Sequence, residues 1–217
     1  MHTAMSSMSG MPMPGGWTLS MMWMRMPGQT WLGVAASFLG MWIAMMAAMM
    51  LPSIAVQLRR YRRTGAGSTV LAGGGYLAVW AAIGMVVFPV GAGLAALAMR
   101  EPALSRAAPM AAGVVVMIAG SLQLTKRKAR RLERCGHVHE HESAWRYGLQ
   151  LGVQCVGCCA NVMAILLVVG VMDLRAMALA TAAVTAERLT PFSARVARWT
   201  GAAALAVGVL MIVRASA

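Results

Sequence analysis

The chain has 217 residues, of which 59% are hydrophobic and only 12% charged, and its mean hydropathy is +0.68. A soluble domain carries about 25% charged residues, so too little polar surface exists to cover a core of this size in water. Disorder, which needs low hydrophobicity and high charge, is excluded as well. What remains is a polytopic membrane protein of the all-α class, a bundle of transmembrane helices. The net charge of +13 comes from 19 Lys+Arg against 6 Asp+Glu. In a soluble protein that balance points to nucleic acid. In a membrane chain it points to basic loops gathered on one side, so no nucleic-acid partner is expected. The 22 Met, about one residue in ten, need an explanation of their own.

Residues 1–30 are rich in Met, Gly, Pro and Ser and read as an extramembrane segment. They lack the basic start and compact apolar stretch of a signal peptide. The transmembrane domain follows at 31–217. The first apolar run, 31–58, is closed by Arg59, Arg60, Arg62 and Arg63. The second, 70–99, contains Gly73, Gly74, Gly75 and Pro89, which predict a break or kink. The third, 107–124, ends in Lys126, Arg127, Lys128, Arg130 and Arg131, which open a basic inner loop at 125–146. The fourth covers 147–172. A shorter stretch at 176–186 stops at Glu187 and Arg188, and the last run covers 199–213. With the N-terminus outside, fourteen basic residues fall on inner loops and five on outer ones, the bias expected of a membrane protein. The count is about six spans, or five if 176–188 does not cross, because a span normally needs ~20 residues.

Four constellations carry candidate chemistry. In the first 26 residues stand Met1, Met5, Met8, Met11, Met13, Met21, Met22, Met24 and Met26, with His2 beside them. Thioether sulfur is a soft ligand that favours copper(I), although Met also serves as an adaptable space-filler. In the first span, Met41, Met45 and Met49 lie at i, i+4, i+8, with Met46 and Met50 extending that face. In the fourth span, Cys155, Cys159 and Met163 repeat the same spacing, with Cys158 adjacent. Neighbours on one helix do not readily meet disulfide geometry, so thiol or thiolate ligation is the better reading of these Cys. At 1.5 Å per residue, Met49 lies roughly 14 Å from the inner surface and Cys155 to Cys159 roughly 12–18 Å from it. The two sulfur-rich stretches therefore share one depth. The inner loop supplies Cys135, His137, His139 and His141, donors suited to zinc, nickel or copper, in a spacing that matches no closed structural zinc pattern.

Intramembrane charge is sparse. Glu187 and Asp173 sit at span ends, where each can pair with its neighbour Arg188 or Arg175. Gln123 stands at the inner end of the third span as a polar cap to the sulfur site. No phosphate-binding loop, dinucleotide fingerprint or HExxH motif occurs, so nucleotide-driven transport and zinc proteolysis lack support.

Three blocks resemble a bacterial family of predicted metal-binding integral membrane proteins, a domain of unknown function sometimes labelled copper chaperone. They are the run from Ala44 through Met45, Met46, Met49 and Met50 to Pro52 and Ser53, the stretch Gly120-x-x-Gln123-Leu124-Thr125, and Cys155-x-Gly157-Cys158-Cys159-x-x-x-Met163. Gly170, Val171, Met172 and Asp173, then Glu187 and Arg188, extend the resemblance from Trp42 to Arg188. It implies that Met49, Met50, Cys155, Cys158, Cys159, Met163 and Glu187 belong to the family's shared blocks. The chain departs where His137, His139 and His141 replace a Cys-x-x-Pro-like element, where Ala160 replaces an aromatic, and where Asp173 and Arg188 stand for Asn and Lys. The Met-rich N-terminal segment lies outside the resemblance.

The expectation is a copper(I)-binding protein of the bacterial inner membrane, multi-pass with its N-terminus outside. It serves copper acquisition, delivery or tolerance through binding rather than catalysis. Its metal-ligand candidates are Met45, Met46, Met49, Met50, Cys155, Cys158, Cys159, Met163 and Glu187, with Cys135, His137, His139 and His141 as a second set open to zinc or nickel. Its partners are the lipid bilayer and a copper enzyme or another membrane subunit. The alternatives are an accessory metal-binding subunit of a membrane oxidoreductase and a scaffold without a ligand. No His lies within any span, which counts against oxygen chemistry at the buried site.

Overall fold

The computed structural model describes residues 11–14, 16–25, 28–61, 66–134, 143–170, 173–190 and 192–216, without the side chains of 51–61, 66 and 133–134. A short hairpin, β1 (Met11–Met13) paired antiparallel with β2 (Trp17–Leu19), comes first. Helices follow: α1 (Trp31–Tyr61), α2 (Ala66–Arg100), α3 (Pro102–Gln123), α4 (Lys126–Arg134), α5 (Ala144–Val169), α6 (Leu174–Leu189) and α7 (Ser193–Ser216). The expected helical bundle is what forms, because a chain this apolar satisfies its backbone without water only by intrahelical bonds.

Five helices, α1, α2, α3, α5 and α7, are long and apolar enough to cross a membrane. The stretch at 176–186 becomes α6, whose 16 residues span about 24 Å against the ~30 Å of a bilayer core. It is therefore about 6 Å shorter than that core. Of the break or kink expected in the second run, the break does not occur. Pro89 is accommodated inside one continuous helix of 35 residues.

Helix directions follow from the contacts. Phe38 packs on Phe88 with ring centroids 5.2 Å apart, and Trp42 Nε1 donates to the Trp80 carbonyl at 3.0 Å, so α1 and α2 run antiparallel. Gly148 meets Ala72 and Gly152 meets Tyr76 and Val79, so α2 and α5 run parallel. That seam is unusually close, because a Cβ placed on Gly148 would stand 2.0 Å from the Ala72 carbonyl oxygen. In α3 and α7 the pairs Gly113–Gly208 and Gly120–Gly201 make an antiparallel seam of the same kind. Small residues at such seams let backbones approach where lipid supplies no hydrophobic drive. Helix α6 packs on α1, α5 and α7 and returns the chain between the last two.

The N-terminal segment is not a free tail over its described part. Trp17 Nε1 donates to the Ser105 carbonyl at 2.9 Å, and Ser105 Oγ donates to the Pro14 carbonyl at 2.9 Å. Met13 and Leu19 are buried with Ala95 and Ala98. The hairpin thereby caps the end where α2 finishes and α3 begins. The stretch expected as a basic loop also departs from a loop at its start. Residues 126–134 form α4, which lies against the middle of α5, with Arg131 Nη1 donating to the Gly157 carbonyl at 3.3 Å.

Candidate metal centre

Cys155 and Cys159 stand one turn apart on α5, so both sulfurs emerge on one face with Sγ atoms 3.9 Å apart. The antiparallel course of α1 brings Met50 to that face, its Sδ 3.8 Å from Cys155 Sγ. The parallel course of α2 brings the Tyr76 hydroxyl to 3.2 Å from the same Cys155 sulfur. All four side chains are at most 2% exposed. Met45, Met46, Met49 and Met163 are buried in the same cluster, so these thioethers of the first and fourth spans share one core.

The donor set fits a soft metal. A metal–thiolate bond of about 2.3 Å puts two ligand sulfurs about 3.8 Å apart in tetrahedral geometry and about 4.0 Å apart in trigonal geometry. The 3.8 and 3.9 Å separations around Cys155 fall in that window. Among the described residues, no three His, Cys, Asp or Glu side chains come together. The convergence is instead of two thiols and a thioether, soft donors that suit copper(I) or zinc over the harder cations.

Cys158 departs from the expectation of three free thiols. It is disulfide-bonded, while Cys155 and Cys159 are free. On the helix Cys158 sits three residues from Cys155, rotated toward α4, where its sulfur lies 3.5 Å from the Arg131 carbonyl oxygen. A sulfur committed to a disulfide offers no thiolate, so this position drops out of the donor set. Cys135, His137, His139 and His141 lie outside the described residues, as do Met1, Met5, Met8, Met26 and His2.

Behind the sulfurs runs a buried polar chain. Asn161 Nδ2 donates to Gln123 Oε1 at 3.1 Å, and Gln123 Nε2 donates to Glu187 Oε1. Lys128 Nζ forms an ion pair with Glu187 Oε2 at 2.8 Å and donates to the Cys158 carbonyl. Lys128 and Glu187 are 3% and 2% exposed, so neither reaches solvent. Glu187 is therefore engaged by Lys128 and Gln123 on its two oxygens, where the sequence suggested Arg188 as its mate or a metal as its ligand. Gln123 caps this chain rather than the sulfurs themselves. Asp173 is structural: its Oδ1 accepts from the backbone N–H groups of Arg175 and Ala176 at 2.8 and 3.4 Å, capping α6.

Sequence reasoning missed Tyr76, Asn161 and Lys128. Asn161 carried a signal, since an amide mid-span two residues past Cys159 needs a buried partner. Tyr76 carried only its hydroxyl in an apolar helix. Lys128 carried none, being one cation in a run of five.

A family model described as PpoB2, copper chaperone, matches residues 39–211, about four-fifths of the chain, from the first span into the last helix. No curated protein and no solved structure matches it.

Proposed function

The chain belongs to the copper chaperone family, and on that premise we propose that it holds copper(I) in the bacterial inner membrane at Met50, Cys155 and Cys159 and passes it to a copper enzyme. The observation that carries this reading is the meeting of three sulfurs from two helices, Met50 and Cys159 at 3.8 and 3.9 Å from Cys155, in a buried core. Two thiolates supply charge and most of the binding, and the neutral thioether supplies a weaker third bond. Such a set suits delivery, because the thioether leaves first and opens a position for an incoming ligand. Donation from the Tyr76 hydroxyl to the Cys155 sulfur drains electron density from that thiolate and loosens it further.

In this reading the N-terminus lies outside, and Met45, Met46 and Met49 line α1 on the approach from that side. His137, His139 and His141, which follow α4 in the sequence, offer a second set of donors for onward transfer. The basic residues of α4 keep that side of the chain in the cytoplasm.

The test is metal content of the detergent-purified chain by mass spectrometry after copper(I) loading. Wild type is compared with the Cys155→Ser/Cys159→Ser variant and with a deletion of residues 1–26. One copper per chain, lost in the double Ser variant and kept in the deletion, supports the site. Copper lost only with the N-terminal segment moves the function there. No copper in any form leaves a scaffold and refutes the proposal.

A further inference from the structure

We propose that Met22, Met41 and Met45 form a second copper(I) site, made only of thioethers, at the hairpin end of the bundle, and that it feeds the sulfur site below. Its role as an entry rests on the copper reading of the sulfur site; its existence does not. The described part of the N-terminal segment holds Met11, Met13, Met21, Met22 and Met24, none of which the sulfur site uses. Trp17 and Pro14 fasten the hairpin to Ser105 of α3. Beyond the hairpin, one 3-10 turn, Met21–Trp23, lays Trp23 across α1 and α2. The Trp23 ring stands 5.3 Å from that of Phe38 on α1. On α2 it fills a notch that only glycine leaves, because a Cβ on Gly91 would lie 2.2 Å from Trp23 Cζ3. Trp23 packs against both buried clusters. Met22, its neighbour in the chain, and Met41 pack against the cluster that holds Cys155 and Cys159.

At 3.6 residues per turn, Phe38, Met41 and Met45 fall within about 60° of one another around α1. The face that meets Trp23 through Phe38 is therefore the face that carries both thioethers. Met41 and Met45 stand one turn apart, the spacing of Cys155 and Cys159, and Met22 supplies the third sulfur from a different segment, as Met50 does below. Met41 lies about 14 Å from Met50 along α1, against a metal–sulfur bond of about 2.3 Å, so the two sites hold separate ions. Thioethers are soft donors for copper(I) but carry no charge, so an ion there keeps its own, which deep burial would penalise. Met22 and Met41 are only half-buried, and solvent still reaches that charge. The thiolates of the sulfur site neutralise the ion and bind it harder, so it passes from the weaker site to the stronger.

The experiment measures silver(I), a redox-inert soft monovalent ion, bound by the full chain in detergent, in equilibrium dialysis and again after desalting. Cys155→Ser/Cys159→Ser isolates the hairpin end; it is expected to bind silver(I) in dialysis and to lose it on desalting. Adding Met22→Leu/Met41→Leu/Met45→Leu, which conserves volume, is expected to weaken that binding by at least about tenfold. Met11→Leu/Met21→Leu, at exposed positions, is expected to leave it unchanged. Gly91→Ala alters no ligand but drives the Trp23 ring more than about 1 Å away to regain ordinary contact, and it is expected to weaken binding as the triple Leu variant does. If Gly91→Ala does not fold, the triple Leu variant decides alone. With the cysteines intact, the triple Leu variant is expected to fill the sulfur site several-fold more slowly and still to retain one ion after desalting. Binding that is absent from the Ser variant, survives the triple Leu variant, ignores a folded Gly91→Ala, or is lost with Met11 and Met21 overturns the second site. A sulfur site that fills at the wild-type rate without the three thioethers overturns the entry. A wild-type chain that keeps no ion after desalting, while the Ser variant binds silver(I) in dialysis, supports the second site and refutes the copper reading of the first.

Discussion

Gly148→Ala isolates the contact on which the site geometry depends. A Cβ at that position stands 2.0 Å from the Ala72 carbonyl oxygen and 2.8 Å from its carbonyl carbon, both backbone atoms that no rotamer change moves. Ordinary contact between such atoms needs roughly 3.3 Å, so α2 and α5 must separate locally by about 1.3 Å. Tyr76 lies one turn further along α2, and its hydroxyl is 3.2 Å from Cys155 Sγ. The same separation stretches that contact to about 4.5 Å, beyond a hydrogen bond. Overpacking costs ~1–3 kcal/mol and loss of the hydrogen bond ~0.5–1.5 kcal/mol, for a total of about 2–4 kcal/mol. For a chain of this size that lowers the apparent melting temperature in detergent by roughly 5–12 °C. Gly73→Ala is the control, because a Cβ there meets nothing within 4 Å although it neighbours Ala72 on the facing helix. It is expected to melt at or slightly above wild type, since Ala favours helix over Gly by up to ~1 kcal/mol. Thermal scans of the two variants, with copper(I) affinity measured alongside, check the reasoning. Equal melting temperatures, or a Gly148→Ala variant with unchanged copper affinity, would refute the view that close approach of α2 and α5 positions the site.

Two further predictions rest on single side chains. Met50→Leu preserves volume in a fully buried position and is expected to cost less than ~1.5 kcal/mol of stability, while removing the third sulfur weakens copper(I) binding by about tenfold, or ~1.4 kcal/mol; competition with a copper(I) chelator reads the affinity, and equal weakening by Met41→Leu would show that thioether position is immaterial. Asp173→Ala deletes the cap of α6 and is expected to destabilise that helix by ~0.5–2 kcal/mol, seen as faster hydrogen exchange at residues 175–178 with copper content unchanged.

Much of this protein was legible in its residues. Hydropathy located every long helix to within about six residues at either end, because a lipid-facing helix must be apolar over most of its length wherever its neighbours lie. Helical spacing put Cys155, Cys159 and Met163 on one face and Met45, Met46, Met49 and Met50 on another. Depth arithmetic brought the two faces level, and Met50 does meet Cys155. That arithmetic rests only on rise per residue and the direction of each crossing.

Tertiary structure decided the rest. Four buried Met on α1 share a face, and only the crossing of α1 over α5 selects Met50 as the thioether next to Cys155. Tyr76 enters because α2 runs parallel to α5 at glycine-limited distance, which no local pattern in either helix announces. Cys158 leaves the donor set because its three-residue offset turns it toward α4 and into a disulfide. Lys128 is indistinguishable by composition from Lys126 or Arg127. Its burial follows from α4 folding against α5, where Glu187 from α6 makes an otherwise prohibitive charge tolerable. Local patterns determine which face of a helix is sulfur-rich or apolar, because side-chain direction repeats with the backbone. Which of those atoms touch is set by how helices distant in sequence cross, and that depends on the packing of the whole bundle.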